Sequence, residues 1–122
     1  MTQTPRELLN IINNTTNRLV SLGAKIKRKR LDVILYQSKL CDVENEARND
    51  LFTGKEEIQA SRIRDYIKWR TGKEYKENEI AKLELRQLID EREMLIEIIN
   101  TAKSSLRILE MEIKGLNYLP ST

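Results

Sequence analysis

Five cations fall within six residues of this chain: Lys25, Lys27, Arg28, Lys29 and Arg30. Clustered cations of this kind suit one task above others, the gripping of phosphates. Each neutralised phosphate releases condensed counterions, which gives an affinity independent of base sequence and steeply weakened by salt. Successive helical residues step by about 100°, so five such side chains encircle a helix and cannot all be buried. The competing use is a solvated surface whose cations pair with acids of a neighbouring subunit, such as Glu91, Glu93 or Glu97.

A second basic group, Arg62, Arg64, Lys68 and Arg70, is interleaved with Tyr66 and Trp69. Rings among arginines can form a platform for unstacked bases, where each stack is worth roughly 1–3 kcal/mol. The same residues could serve packing instead. A lone tryptophan in a small helical protein is usually core, so Trp69 is expected to be buried. Arg62 and Arg64 stay open between the two uses.

Other chemistry finds little support. Histidine is absent, which removes the usual general base at neutral pH and the commonest metal ligand. Cys41 is the only cysteine, too few for a disulfide or a zinc cluster, and is expected to be a small buried side chain. The pairs Glu91/Glu93 and Glu110/Glu112 sit two apart on helices and so point to different sides. No glycine-rich loop follows a strand. No catalytic, cofactor or metal site is expected, and the sequence argues against an enzyme. The start, Met1-Thr2-Gln3-Thr4-Pro5, lacks the apolar core of a signal peptide, and no apolar run reaches membrane-spanning length. A cytoplasmic protein is expected, in the host cytoplasm if phage-encoded.

The elements that must carry these cations are helices. Leu8, Ile12, Thr15, Leu19, Leu22, Ile26, Lys29, Val33, Tyr36, Leu40, Val43, Ala47 and Leu51 recur at steps of mostly three and four. Leu85, Leu88, Arg92, Leu95, Ile99, Ala102, Leu106, Leu109, Ile113 and Leu116 do the same. This is the seam of a helix that buries a narrow stripe against another helix. Thr4 and Glu7 are spaced as a capping box around Pro5. Thr53-Gly54-Lys55-Glu56 recurs as Thr71-Gly72-Lys73-Glu74, each copy able to end one helix and cap the next.

The spacing thus predicts an all-α chain in one helical domain, residues 1–122, with helices over about 5–52, 56–70 and 76–116. Two long helices form an antiparallel hairpin or coiled coil, joined by a short central helix. A stripe on two helices leaves apolar surface uncovered, so assembly into a homo-oligomer is expected. Charge alternates in blocks along the chain. Residues 1–40 carry eight basic and two acidic side chains, residues 41–50 one and four. Residues 51–82 carry eight and six, residues 83–122 five and seven. Such blocks suit contact between subunits or a basic face offered to a polyanion.

One segment is similar to a known family. Glu46-Ala47-Arg48-Asn49-Asp50-Leu51-Phe52-Thr53-Gly54-Lys55 resembles the single-strand-binding motif of UvsY-type recombination mediators of T4-like phages. That motif reads basic–Ala–Arg–x–Asp–aromatic–aromatic–Ser/Gly and then a basic residue. Ala47, Arg48, Asp50, Phe52, Gly54 and Lys55 match it, with Thr53 for serine. Glu46 stands where the family has lysine, and Leu51 where it has tyrosine. The resemblance implies a closed helical oligomer that binds single-stranded DNA and helps load a recombinase onto strands covered by a single-strand-binding protein. It implies phosphate contacts from Arg48 and Lys55, helped by Lys25, Lys27, Arg28, Arg62 and Arg64, with Phe52 stacking or packing.

A different class also fits the seam: a small helical adaptor or inhibitor from a mobile element, which binds a partner protein through its apolar stripe. A structural coiled coil without a ligand is the third. Only the first requires salt-sensitive DNA affinity.

Overall fold

A computed structural model describes residues 3–54 and 58–118, and the side chains among them as far as Gly115. It contains two long helices and a 3-10 turn. Helix α1 runs Pro5–Phe52 and helix α2 runs Ile63–Tyr118, with the turn at Ala60–Arg62 before α2.

The ends of α1 follow from its terminal residues. Thr4 Oγ1 accepts from the Glu7 backbone N–H at 3.2 Å, and the Thr4 N–H donates back to Glu7 Oε2 at 3.3 Å. Both bonds of the expected capping box are present. At the other end Gly54 has a φ of 74°, a left-handed conformation that residues with a Cβ rarely adopt. The Thr53 N–H still reaches the Asn49 carbonyl at 2.9 Å, and Gly54 then turns the chain out of the helix.

Two compact units share these helices, one of residues 1–25 and 88–122, the other of residues 26–87. In the first, α1 and α2 pack antiparallel: Leu8 shares a groove with Leu109, and Arg18 pairs with Glu91 at 3.8 Å. Leu8, Leu22, Leu95, Ile99 and Ala102 are buried there, with Thr15 among them. All six are rungs of the predicted seam. In the second unit the pairing is also antiparallel, through Lys29 with Glu84, Gln37 with Asn78, and Asp50 with Arg70. Its buried residues are Ile26, Ala47, Thr71, Asn78 and Ala81, so its seam is built largely from small and polar side chains.

That polar composition corrects one expectation. No separate helix spans 56–70, because α2 runs through Thr71 and Gly72 without a break. The rungs continue upstream of Leu85 as Ala81, Asn78, Glu74, Thr71 and Ile67, all buried or half-buried at steps of three and four. Thr71 does not cap. Its hydroxyl donates backward to the Ile67 carbonyl at 2.8 Å, a bond compatible with a helix interior. Gly72 lies on the exposed side, where it costs about 1 kcal/mol relative to alanine without ending the helix. The two Thr-Gly-Lys-Glu copies therefore play different parts: the first glycine ends α1, the second is absorbed by α2. Lys55 and Glu56 of the first copy lie outside the described residues, as does the Leu116 side chain.

Asn78 fixes the register of this seam. Its Nδ2 donates to Gln37 Oε1 at 2.8 Å, while its buried Oδ1 meets no partner among the described residues. Slipping the helices would take this partner from Nδ2 as well, which costs about 1–3 kcal/mol for the newly unsatisfied group. A buried asparagine at a seam position sets alignment at some cost in stability.

Candidate nucleic-acid interface

Four of the five clustered cations are free. Lys25, Lys27, Arg28 and Arg30 are exposed on α1, and none forms an ion pair among the described residues. Lys29 alone turns into the seam. Its ammonium donates to Glu84 and lies 3.8 Å from Asp32, so it holds the helices together and is not available to a ligand. The helical repeat sorts the cluster in this way, since one residue in every three or four must face the partner helix.

The hydrogen bond to Glu84 raises the Lys29 pKa above its ordinary 10.5, desolvation opposes the rise, and the charges of Glu84 and Asp32 add to it. With the folded value raised, the ammonium contributes stability at every pH below the unfolded value. That contribution disappears as pH climbs through the folded value. The stability gap between the natural chain and Lys29→Met should therefore hold steady from neutrality to about pH 10 and narrow above the ordinary 10.5. Urea midpoints at about pH 8 and about pH 11 check this; a gap that widens at the higher pH contradicts the assignment.

The second patch lies where α1 ends and α2 begins. Arg48, Arg64 and Lys68 line one open groove with Leu40, Ile63 and Tyr75. An adjoining apolar hollow is lined by Leu51, Phe52, Ile63 and Ile67, with Arg48 common to both. Arg48 donates to Glu44 at 3.0 Å one turn back, which orients its guanidinium without burying it. Phe52 is 90% exposed. Arg62 is exposed on the 3-10 turn and does not line this groove. Arg70 is committed elsewhere: Nη1 donates to Asp50 Oδ2 at 3.0 Å and to the Tyr66 hydroxyl at 2.6 Å, tying the start of α2 to the end of α1. These two bonds, that to Asp50 foremost, raise its pKa.

Two expectations about single residues fail here. Trp69 is 76% exposed and not core; its ring lies 6.2 Å from that of Tyr66 at an interplanar angle of 39°. It faces outward because Ile67, Thr71 and Glu74 fill the seam on this part of α2, leaving Trp69 on the opposite face. Cys41 is likewise exposed, on the outer side of α1, because Leu40 and Val43 occupy the seam beside it.

Of the predicted site residues, then, the structure brings Arg48 and Arg64 to one groove and keeps Lys27, Arg28 and Arg30 as a separate patch on the same unit. Arg30 and Arg48 are eighteen residues apart on a continuous helix, about 27 Å along its axis. Lys55 falls outside the described residues. Tyr75 is a groove residue that the sequence did not single out, and Lys68, named only as part of the second basic group, lines the groove beside Arg64. The signal for Lys68 was its position one turn after Arg64.

No family model, no curated protein and no solved structure matches the chain. Function therefore has to be read from the chain itself. Among the described residues, no group of acidic or cysteine side chains is placed to hold a metal ion. No helix described is long and apolar enough to cross a membrane.

Proposed function

We propose that this chain binds single-stranded DNA as an assembly of several copies and acts as a recombination mediator, helping to load a recombinase onto DNA covered by a single-strand-binding protein. One observation carries the binding half of this reading: Lys25, Lys27, Arg28 and Arg30 stand exposed on a single stretch of helix, without ion pairs among the described residues. Cations on a helix are carried at fixed backbone spacing, so strand phosphates can match them with no cost of ordering the backbone. The exposed Trp69 and Phe52 supply ring faces, and Arg48 and Arg64 a second electrostatic foothold. Resemblance of residues 46–55 to the UvsY-type motif supports the mediator half. Several copies multiply modest affinities through effective concentration.

The test is a titration of a labelled thymidine oligonucleotide against salt. Four phosphate contacts on a single strand predict a slope of log affinity on log salt near −3, or roughly a fiftyfold loss from 50 to 200 mM. Shared binding by several copies steepens it. Affinity that is flat with salt removes the reading. The adaptor reading has an observation of its own, the aliphatic side chains exposed on the outer face of α1, and it predicts that flat response.

A further inference from the structure

Helix α1 carries a second apolar stripe that the hairpin does not cover. Leu31, Ile34 and Leu35 are 55%, 63% and 67% exposed on the side of the helix away from α2. Ser38 and Cys41 continue the stripe one and two turns on, both exposed. Three adjacent branched aliphatics in water are costly surface on a chain this small, and contiguous patches of this kind mark contact sites.

The charges on either side of the stripe identify what covers it. On its N-terminal side stand Lys27, Arg28 and Arg30, and on its C-terminal side Asp42, Glu44 and Glu46. Position 36 lies midway between Arg28 and the pair Asp42 and Glu46, and the stripe from Leu31 to Cys41 is centred on the same position. A helix with one charge sign at each end of an apolar stripe, and a common centre for both patterns, is complementary to itself when reversed. We infer that two copies of this chain pair antiparallel through the outer faces of α1, about a twofold axis near position 36.

The axis makes the contact isologous, each copy offering the same patch. Reversal about it places like sides of the two helices together. Leu35 meets its own counterpart beside the axis, with Leu31 and Ile34 against the second copy's Ser38 and Cys41. Arg28 lies on the same side of α1 as Leu35, Asp42 and Glu46, by the 100° step of the helix. It therefore faces Asp42 and Glu46 of the other copy. Neither acid forms an ion pair among the described residues, so both are free to receive it. Arg30 falls on the opposite flank, where it stays available to phosphate, while Lys27 continues the line of the stripe one turn before Leu31. The inference rests on the assembly half of the proposed function and not on DNA binding.

Sedimentation equilibrium of the full chain without nucleic acid tests it. The natural chain should sediment at twice its 14.4 kDa or a multiple of that. Leu35→Asp should reduce the mass by half or more. Arg28→Glu alone, and Asp42→Arg with Glu46→Arg, should each do the same, because both place like charges opposite one another. Mixing the two charge variants should restore the lost association, since the first then faces the second with signs matched in both halves. All these residues are exposed, so the helical circular-dichroism signal should not change. A natural chain that stays monomeric to about 1 mM overturns the pairing. So does a mass unmoved by Leu35→Asp, or a mixture that fails to associate. Because no DNA is present, these outcomes cannot be confused with failure of the nucleic-acid reading.

Discussion

Changing Lys25, Lys27 and Arg30 to glutamate together should lower affinity for a thymidine oligonucleotide on the order of 10²- to 10³-fold at 50 mM salt. Each lost phosphate contact on a single strand removes about 0.7 from the slope of log affinity against log salt, so the slope should become shallower by about 2. The three residues are exposed and none has an ion pair among the described residues, so the substitutions break no visible contact within the chain. Arg28 is left in place on purpose, since its partner in the proposed pairing is acidic. Leu35→Asp provides the complementary measurement. It removes the pairing and leaves all four free cations in place, so it should weaken binding by loss of multivalency while the slope per copy becomes no shallower. Fluorescence anisotropy across a salt series reads both. Should the triple variant bind as tightly as the natural chain at low salt, the cluster is not the anion site and Arg48, Arg62 and Arg64 become the alternative.

Where polar seam residues are framed by aliphatic rungs, as Thr15, Lys29 and Arg92 are, the sequence revealed them; where small and polar rungs run together from Thr71 to Ala81, it did not. On α1 the rungs from Leu8 to Leu51 are buried or half-buried apart from Tyr36, which is more exposed. On α2 the rungs from Leu85 to Leu109 hold equally well, and Ile113 is exposed near the helix end. Upstream, Thr71, Glu74 and Asn78 occupy the same geometric positions, but a search for apolar periodicity passes over them. Thr71-Gly72 then read as punctuation because threonine caps helices and glycine ends them. What overrode both tendencies is tertiary: Thr71 and Asn78 are buried in the seam against α1, and Gln37 supplies Asn78 with a polar partner. Trp69 was misplaced for a related reason. Composition says tryptophan is buried, whereas helical phase relative to Ile67 and Thr71 puts it outside, and the phase could be known only once the seam was extended.

The candidate site was legible in its charges and not in its geometry. A run such as Lys25 to Arg30 announces itself, yet only the fold shows that Lys29 is spent on Glu84 while its neighbours are free. Arg62, Arg64 and Arg70 look equivalent in sequence. Arg64 lines a groove, Arg70 is held by Asp50 and Tyr66, and Arg62 stands apart on the 3-10 turn.

Truncating Leu95 to alanine should cost about 2–5 kcal/mol, a large part of the 5–15 kcal/mol that holds a typical domain together. Leu95 is 2% exposed, in the unit whose seam is aliphatic, where Leu8, Leu22 and Ile99 are also buried. Removing its branch forfeits both the transfer of those carbons from water and their contacts, because a seam between two helices has no third layer to collapse into the gap. The comparison that gives this meaning is Ile34→Ala on the outer face. Ile34 is equally large and equally branched, yet within one chain it should cost no more than about 0.5 kcal/mol, the range of ordinary surface substitutions. Urea denaturation at low protein concentration, where any pairing of copies is dissociated, isolates the difference. At high concentration Ile34→Ala should lose stability that it keeps when dilute, because there the outer stripe is covered and its truncation is felt through the dimer. Equal midpoints for Leu95→Ala and Ile34→Ala in dilute solution would mean that the seam between α1 and α2 is not what holds the hairpin closed.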